Sequence, residues 1–132
     1  MSVSRVPPKV THRRVEAPPA WVVALTGEQD LSTAQDVDMV LTTAVASDEP
    51  VVVDLLNATF ADSSILGAIL RGSERAEERG LAVVLPADGE VRRLFDLVGA
   101  QSMISTFATL HDAFDWCSFD DESEGQEEPA GE

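Results

Sequence analysis

The stretch that most constrains this chain is Val51-Val52-Val53-Asp54-Leu55-Leu56-Asn57-Ala58-Thr59-Phe60-Ala61-Asp62-Ser63-Ser64-Ile65-Leu66-Gly67-Ala68-Ile69-Leu70. It opens as a run of β-branched and aliphatic residues without helical spacing, which predicts a strand buried on both faces and ending near Asp54 to Leu56. After a short polar connection, Asp62-Ser63-Ser64 begins a second apolar run, in which Leu66, Ile69 and Leu70 recur at helical intervals. Asp and Ser suit a helix start because their oxygens accept from the free N–H groups of the first turn. Those N–H groups and the positive end of the helix dipole also tolerate an added anion. A serine placed there can carry a phosphate without unfolding the helix beneath it. On these residues alone, a plain helix cap is the simpler reading.

The rest of the chain supplies partners for this unit. Residues 1–9 contain Pro7-Pro8 and read as a flexible arm. Val10–Val15 and Trp21–Leu25 read as two strands of a hairpin, separated by Ala17-Pro18-Pro19-Ala20. His12-Arg13-Arg14 is a basic cluster that suits an exposed edge strand better than a binding patch. Gly27–Leu31 reads as a turn, and Ser32-Thr33-Ala34-Gln35 has the form of a capping box with Ser32 as the cap. The helix that follows carries Val37, Val40, Leu41, Ala44 and Val45 inward and stops before Pro50. The Ser63 helix is expected to run to about Arg79, with Gly80 closing it in the left-handed conformation. Arg71, Arg75 and Arg79 form a stripe that Glu74 and Glu78 can pair with. Leu81–Leu85 is a further strand, Asp88 a candidate cap, and Val91, Leu94, Phe95 and Val98 an inward helix face ending at Gly99. Met103–Phe107 suggests a last strand, and a helix starting near Thr109 turns Leu110, Ala113, Phe114 and Trp116 to the core. Strands alternating with helices after a hairpin predict a small α/β domain with a mostly parallel sheet and about four flanking helices.

Composition narrows the function. At 132 residues the chain is sized for one domain. Its net charge of -15 argues against nucleic acid as a partner. Nine acids and no Lys or Arg lie between Asp112 and Glu132, so the remainder is only moderately acidic. Residues 118–132 read as an acidic, disordered tail, and 10–117 as the folded domain. No apolar run is long enough for a membrane helix, so no membrane insertion is expected. The N-terminal residues lack the apolar core of a signal peptide. With a single cysteine, Cys117, an internal disulfide is excluded, and a cytoplasmic location follows. Lys9 is the only lysine, which removes a Walker lysine, a Schiff base and the late lysine of a phospho-accepting receiver domain. Neither His12 nor His111 is expected near Ser63, so a Ser-His-Asp site is not formed and no enzymatic activity is expected.

In three segments the chain resembles the STAS family, the domain of anti-sigma factor antagonists. The family's strand, Asp-Ser-Ser/Thr-Gly-Leu-Gly and helix stand here around Asp62-Ser63-Ser64-Ile65-Leu66-Gly67. Leu25-Thr26-Gly27-Glu28-Gln29-Asp30 and Val91-Arg92-Arg93-Leu94-Phe95-Asp96-Leu97-Val98-Gly99 fit in the same order. The resemblance spans about Val10 to Phe114 and implies a STAS fold. It also implies that an anti-sigma factor serine/threonine kinase phosphorylates Ser63, the modified protein losing its hold on that kinase and a phosphatase resetting it. Asp30 and Asp62 match acids beside the acceptor. Thr33, Ser64, Ile65, Leu66 and Gly67 would complete the docking surface, and no cofactor or metal of the protein's own is implied. Two residues depart from the family pattern: Ile65 stands for glycine and Gln29 for an apolar residue. Ile65 is expected at least partly on the surface, tuning partner choice. The rival reading is an unphosphorylated STAS accessory subunit of a transporter or stress-signalling complex.

Overall fold

The computed structural model describes residues 7–126. Strand β1 (Lys9–Glu16) and strand β2 (Pro19–Gln29) form the expected antiparallel hairpin, joined through a cis Ala17–Pro18 bond. β2 is eleven residues long and outreaches every partner. Its first half pairs in parallel with β3 (Val51–Asp54), from Trp21 opposite Val51 to Ala24 opposite Asp54. Its second half pairs in parallel with β4 (Ala58–Ala61), from Gly27 opposite Ala58 to Gln29 opposite Ala61, with a register shift between Gly27 and Glu28. β5 (Ala82–Val84) and β6 (Ser105–Phe107) extend the sheet beyond β3, in the order β1-β2-β3-β5-β6. Among the described residues only β1 runs antiparallel to its neighbour, so the sheet is mostly parallel.

Four helices cover the two faces: α1 (Leu31–Ala46), α2 (Ser63–Arg75), α3 (Glu90–Val98) and α4 (Leu110–Gln126). Successive strand residues point to opposite faces, and the strands sort themselves accordingly. Val23, Val53 and Val83 join a core under α1, α2 and α3, with Val37, Leu41, Ile65, Ile69, Val91 and Phe95. Val22, Val52, Ala82 and Val84 face the other way, against Ala113 and Cys117 of α4. This two-sided burial is what the unbroken Val51–Val53 run requires.

Several local expectations need correction. The segment read as a turn continues β2 to Gln29, and β4 was not foreseen. The cap of α1 is Asp30, two residues before Ser32. α2 stops at Arg75, and a 3-10 turn (Glu77–Arg79) follows. Gly80 there has φ 66 and ψ -165, an extended left-side conformation that glycine alone takes readily, rather than the left-handed helical one. Gly89, not Asp88, precedes α3, while Gly99 closes it in the left-handed conformation as expected. Arg71 pairs with Asp38 of α1 at 2.7 Å and not with its own helix. Finally, α4 continues to Gln126, so the backbone of 118–126 is helical where composition suggested disorder. The packed turns from Leu110 to Cys117 already nucleate this helix, and each further residue adds a hydrogen bond without that cost. Most of the expected arm, 1–6, and the last residues, 127–132, lie outside the described residues.

Candidate functional site: two helix starts side by side

The site follows from the overreach of β2. Gln29 and Ala61 are paired across two parallel strands, and the next residue of each chain segment is an aspartate. Asp30 caps α1 and Asp62 caps α2, both with extended backbone, so two helix N-termini rise together at the carboxyl edge of the sheet. The two caps are built alike. Asp30 Oδ1 accepts from the Ser32 N–H at 2.9 Å and from the Ser32 hydroxyl at 2.6 Å. Asp62 Oδ1 accepts from the Ser64 N–H at 3.0 Å, the Ile65 N–H at 3.4 Å and the Ser64 hydroxyl. The Arg71–Asp38 pair clamps the two helices together further along.

Within this frame the two serines differ. Ser64 is half-buried and its hydroxyl is held by the Asp62 carboxylate. Ser63, the first residue of α2, is exposed, and its hydroxyl has no hydrogen-bond partner among the described residues. It is the hydroxyl left open to chemistry. Asp30 and Asp62 are half-buried beside it, as is Gly67, where an added Cβ would lie 3.3 Å from Arg71 Nη1.

Three residues expected on the docking surface are inside the protein. Ile65 is 0% exposed and Leu66 is buried with it under the sheet face, which overturns the surface placement of Ile65. The reason is helical geometry: the third and fourth residues of α2 begin its inward stripe, continued by Ala68, Ile69 and Gly72. Thr33 is also buried, its hydroxyl donating to Gln29 Oε1 at 2.8 Å and accepting from the Asp30 N–H at 3.2 Å. Conversely, two exposed apolar residues stand beside the site and were missed. Leu31 is 76% exposed at the first position of α1, the place Ser63 holds in α2, and Phe60 is 41% exposed on β4. The sequence carried a signal for Leu31, since it is an apolar residue off the inward stripe of its helix. Phe60 lay in a strand that was not recognised.

The fold and site define a class: a small α/β domain whose parallel sheet presents an aspartate-capped, serine-bearing helix start at its carboxyl edge. The STAS domain model matches residues 10–113, and the chain belongs to that family. Solved structures agree. The chain is similar to an anti-sigma factor antagonist from Mycobacterium paratuberculosis, with 27% identity, a TM-score of 0.74, and 83% of this chain and 95% of that one covered. It shares the fold of the Bacillus cell fate determinant SpoIIAA in its phosphorylated form, at 22% identity and TM-score 0.60, with 81% and 97% covered. The unphosphorylated form of SpoIIAA gives 21% identity and TM-score 0.62, with 81% and 96% covered. No curated protein sequence matches the chain.

Proposed function

We propose that this protein is an anti-sigma factor antagonist switched by phosphorylation of Ser63. Unmodified, it binds an anti-sigma factor serine kinase in the cytoplasm and thereby frees a sigma factor; phosphorylated, it releases the kinase until a phosphatase restores the serine. The observation that carries this reading is the contrast between the serines: Ser63 is exposed and uncommitted, while Ser64 is spent on the Asp62 cap. Family membership and the antagonist-like fold support it. The existence of a phosphorylated SpoIIAA with this fold lends the modification a precedent.

The physical case for a switch is one of charge. A phosphate brings about -1.5 to -2 charges at neutral pH. The protein bears this because α2 offers its positive dipole end at that spot, beside that of α1. A partner surface packed over Asp30 and Asp62 has no such compensation, and like-charge juxtaposition at an interface costs several kcal/mol. At tenfold per ~1.4 kcal/mol, a hundredfold loss of affinity follows readily.

The test is labelling with ATP and a candidate kinase, followed by phosphopeptide mapping. Label is expected on Ser63 and absent from Ser63→Ala, which stays folded and binds the kinase constitutively. Ser63→Asp is expected to fold and bind about a hundredfold more weakly. Equal binding of Ser63→Ala and Ser63→Asp to an identified partner would replace the switch with the unphosphorylated accessory-subunit reading.

A further inference from the structure

Gln29 is the second departure from the family pattern, and the switch makes no use of it. It is 0% exposed, one of the few buried polar side chains among the described residues. β1 starts at Lys9, opposite Thr26, so Gly27, Glu28 and Gln29 run on past the end of the hairpin ladder. There the Gln29 side chain takes the place of the missing strand. Its amide nitrogen donates to the Lys9 carbonyl at 3.1 Å and to the Thr26 carbonyl at 2.8 Å. Its oxygen accepts from the Thr33 hydroxyl at 2.8 Å, and that hydroxyl accepts from the Asp30 N–H at 3.2 Å. Both amide protons and the amide oxygen are therefore engaged, which a buried amide needs.

The direction of these bonds matters more than their number. A single residue, Asp30, separates β2 from α1, so the exit angle of α1 depends on what holds its first turn. That turn is held by the reciprocal Asp30–Thr33 capping box and, through Thr33, by Gln29. An apolar residue at 29 could fill the volume, but it would remove the shorter of the two acceptors of the Thr33 hydroxyl and leave that hydroxyl only the Asp30 carbonyl, at 3.1 Å. We infer that Gln29 is a positioning residue: acting through Thr33, it fixes the first turn of α1, and with it the Asp30 carboxylate, relative to Ser63. This rests on the proposed switch only in taking Ser63 as the working position.

A reporter thiol tests it without any partner. Ser63→Cys places a thiol at the site, and Cys117 is buried in the folded protein. The pH dependence of alkylation by iodoacetamide gives the thiol pKa, lowered by the start of α2 and raised by the neighbouring carboxylates of Asp30 and Asp62. In the reporter, Gln29→Met or Thr33→Val frees the first turn of α1 and spreads Asp30 over longer distances. The thiol pKa is then expected to fall by about 0.3–0.5. The double variant should fall no further, and Thr33→Ser should keep the parent value, because it keeps the hydroxyl. Thermal melts establish that each variant is folded, and Thr33→Val carries the test if Gln29→Met does not fold. A thiol pKa unmoved in folded variants, or shifts that add in the double variant, would overturn the positioning role. Failure to label Ser63 would overturn the switch and leave this result standing.

Discussion

Replacing Ile65 by glycine, the residue of the family motif, separates a surface role from a core role. The side chain is fully buried and belongs to the cluster with Val37, Leu41, Ile69 and Phe95. Truncating a buried Ile to Ala costs about 2–5 kcal/mol, in part because the cavity does not collapse completely. The further step to glycine in a helix adds roughly 0.5–1 kcal/mol, less near a terminus such as this one. A total of about 3–5 kcal/mol is a large share of the 5–15 kcal/mol that holds a domain together. For a domain of this size it lowers the thermal midpoint by about 10–20 °C. Urea and thermal unfolding, followed by circular dichroism and by the fluorescence of Trp21 and Trp116, measure it, with Ile65→Val as a control costing about 1 kcal/mol. The glycine variant is expected to gain nothing in phosphorylation at Ser63. A loss below ~1 kcal/mol would refute the core assignment and return Ile65 to the surface.

Leu31→Ala is expected to leave stability within about 0.5 kcal/mol, since the side chain is exposed, yet to weaken binding of whichever kinase labels Ser63; titration calorimetry checks both the affinity and its direction. Arg14 makes paired bonds to Glu49, at 2.8 and 2.7 Å, and holds the Glu49 carboxyl below its usual range. A carboxylate depressed in the folded state stabilises above its unfolded pKa and loses that contribution as pH falls through the folded one. Glu49→Gln should therefore lower the melting temperature at pH 7 but not near pH 2, and high salt should shrink the difference, because the pair is partly exposed. Truncation after Phe119 should leave the midpoint unchanged or slightly raised, because Asp120, Asp121, Glu122 and Glu124 of the removed segment belong to the carboxyl-terminal turns of α4, where the dipole disfavours acids. A fall of about ten degrees, far beyond a ~1 kcal/mol effect, would show that the segment is needed for folding.

Much of this was legible in the chain itself, and each miss has its own physical cause. The Val51–Val53 run and the Asp62 cap rest on local chemistry, and both stand as read. The cap of α1 was misplaced because two boxes overlap, Asp30 with Thr33 and Ser32 with Gln35. The chain uses the first, and its Thr33 hydroxyl also bonds to Gln29 four residues back, a local pairing that the usual Ser/Thr-to-Glu/Gln form of the box does not contain. β4 escaped notice because Ala58 and Ala61 are buried while Thr59 and Phe60 are exposed, which breaks the alternation that marks a strand. Ile65 was misjudged by carrying over the reach of a glycine from the family motif, when its place on the inward stripe of α2 already assigned it to the core.

The length of β2 divides the sheet into two mechanical parts. Its lower half is sealed between β1 and β3 with a helix on each face, whereas its upper half is held by the four residues of β4 across a register break. Amide exchange in such a ladder need not be uniform: the upper half can open without melting the lower one. The strand ends that lead into the two aspartate caps can therefore loosen around a partner while the hairpin and β3 below them stay closed.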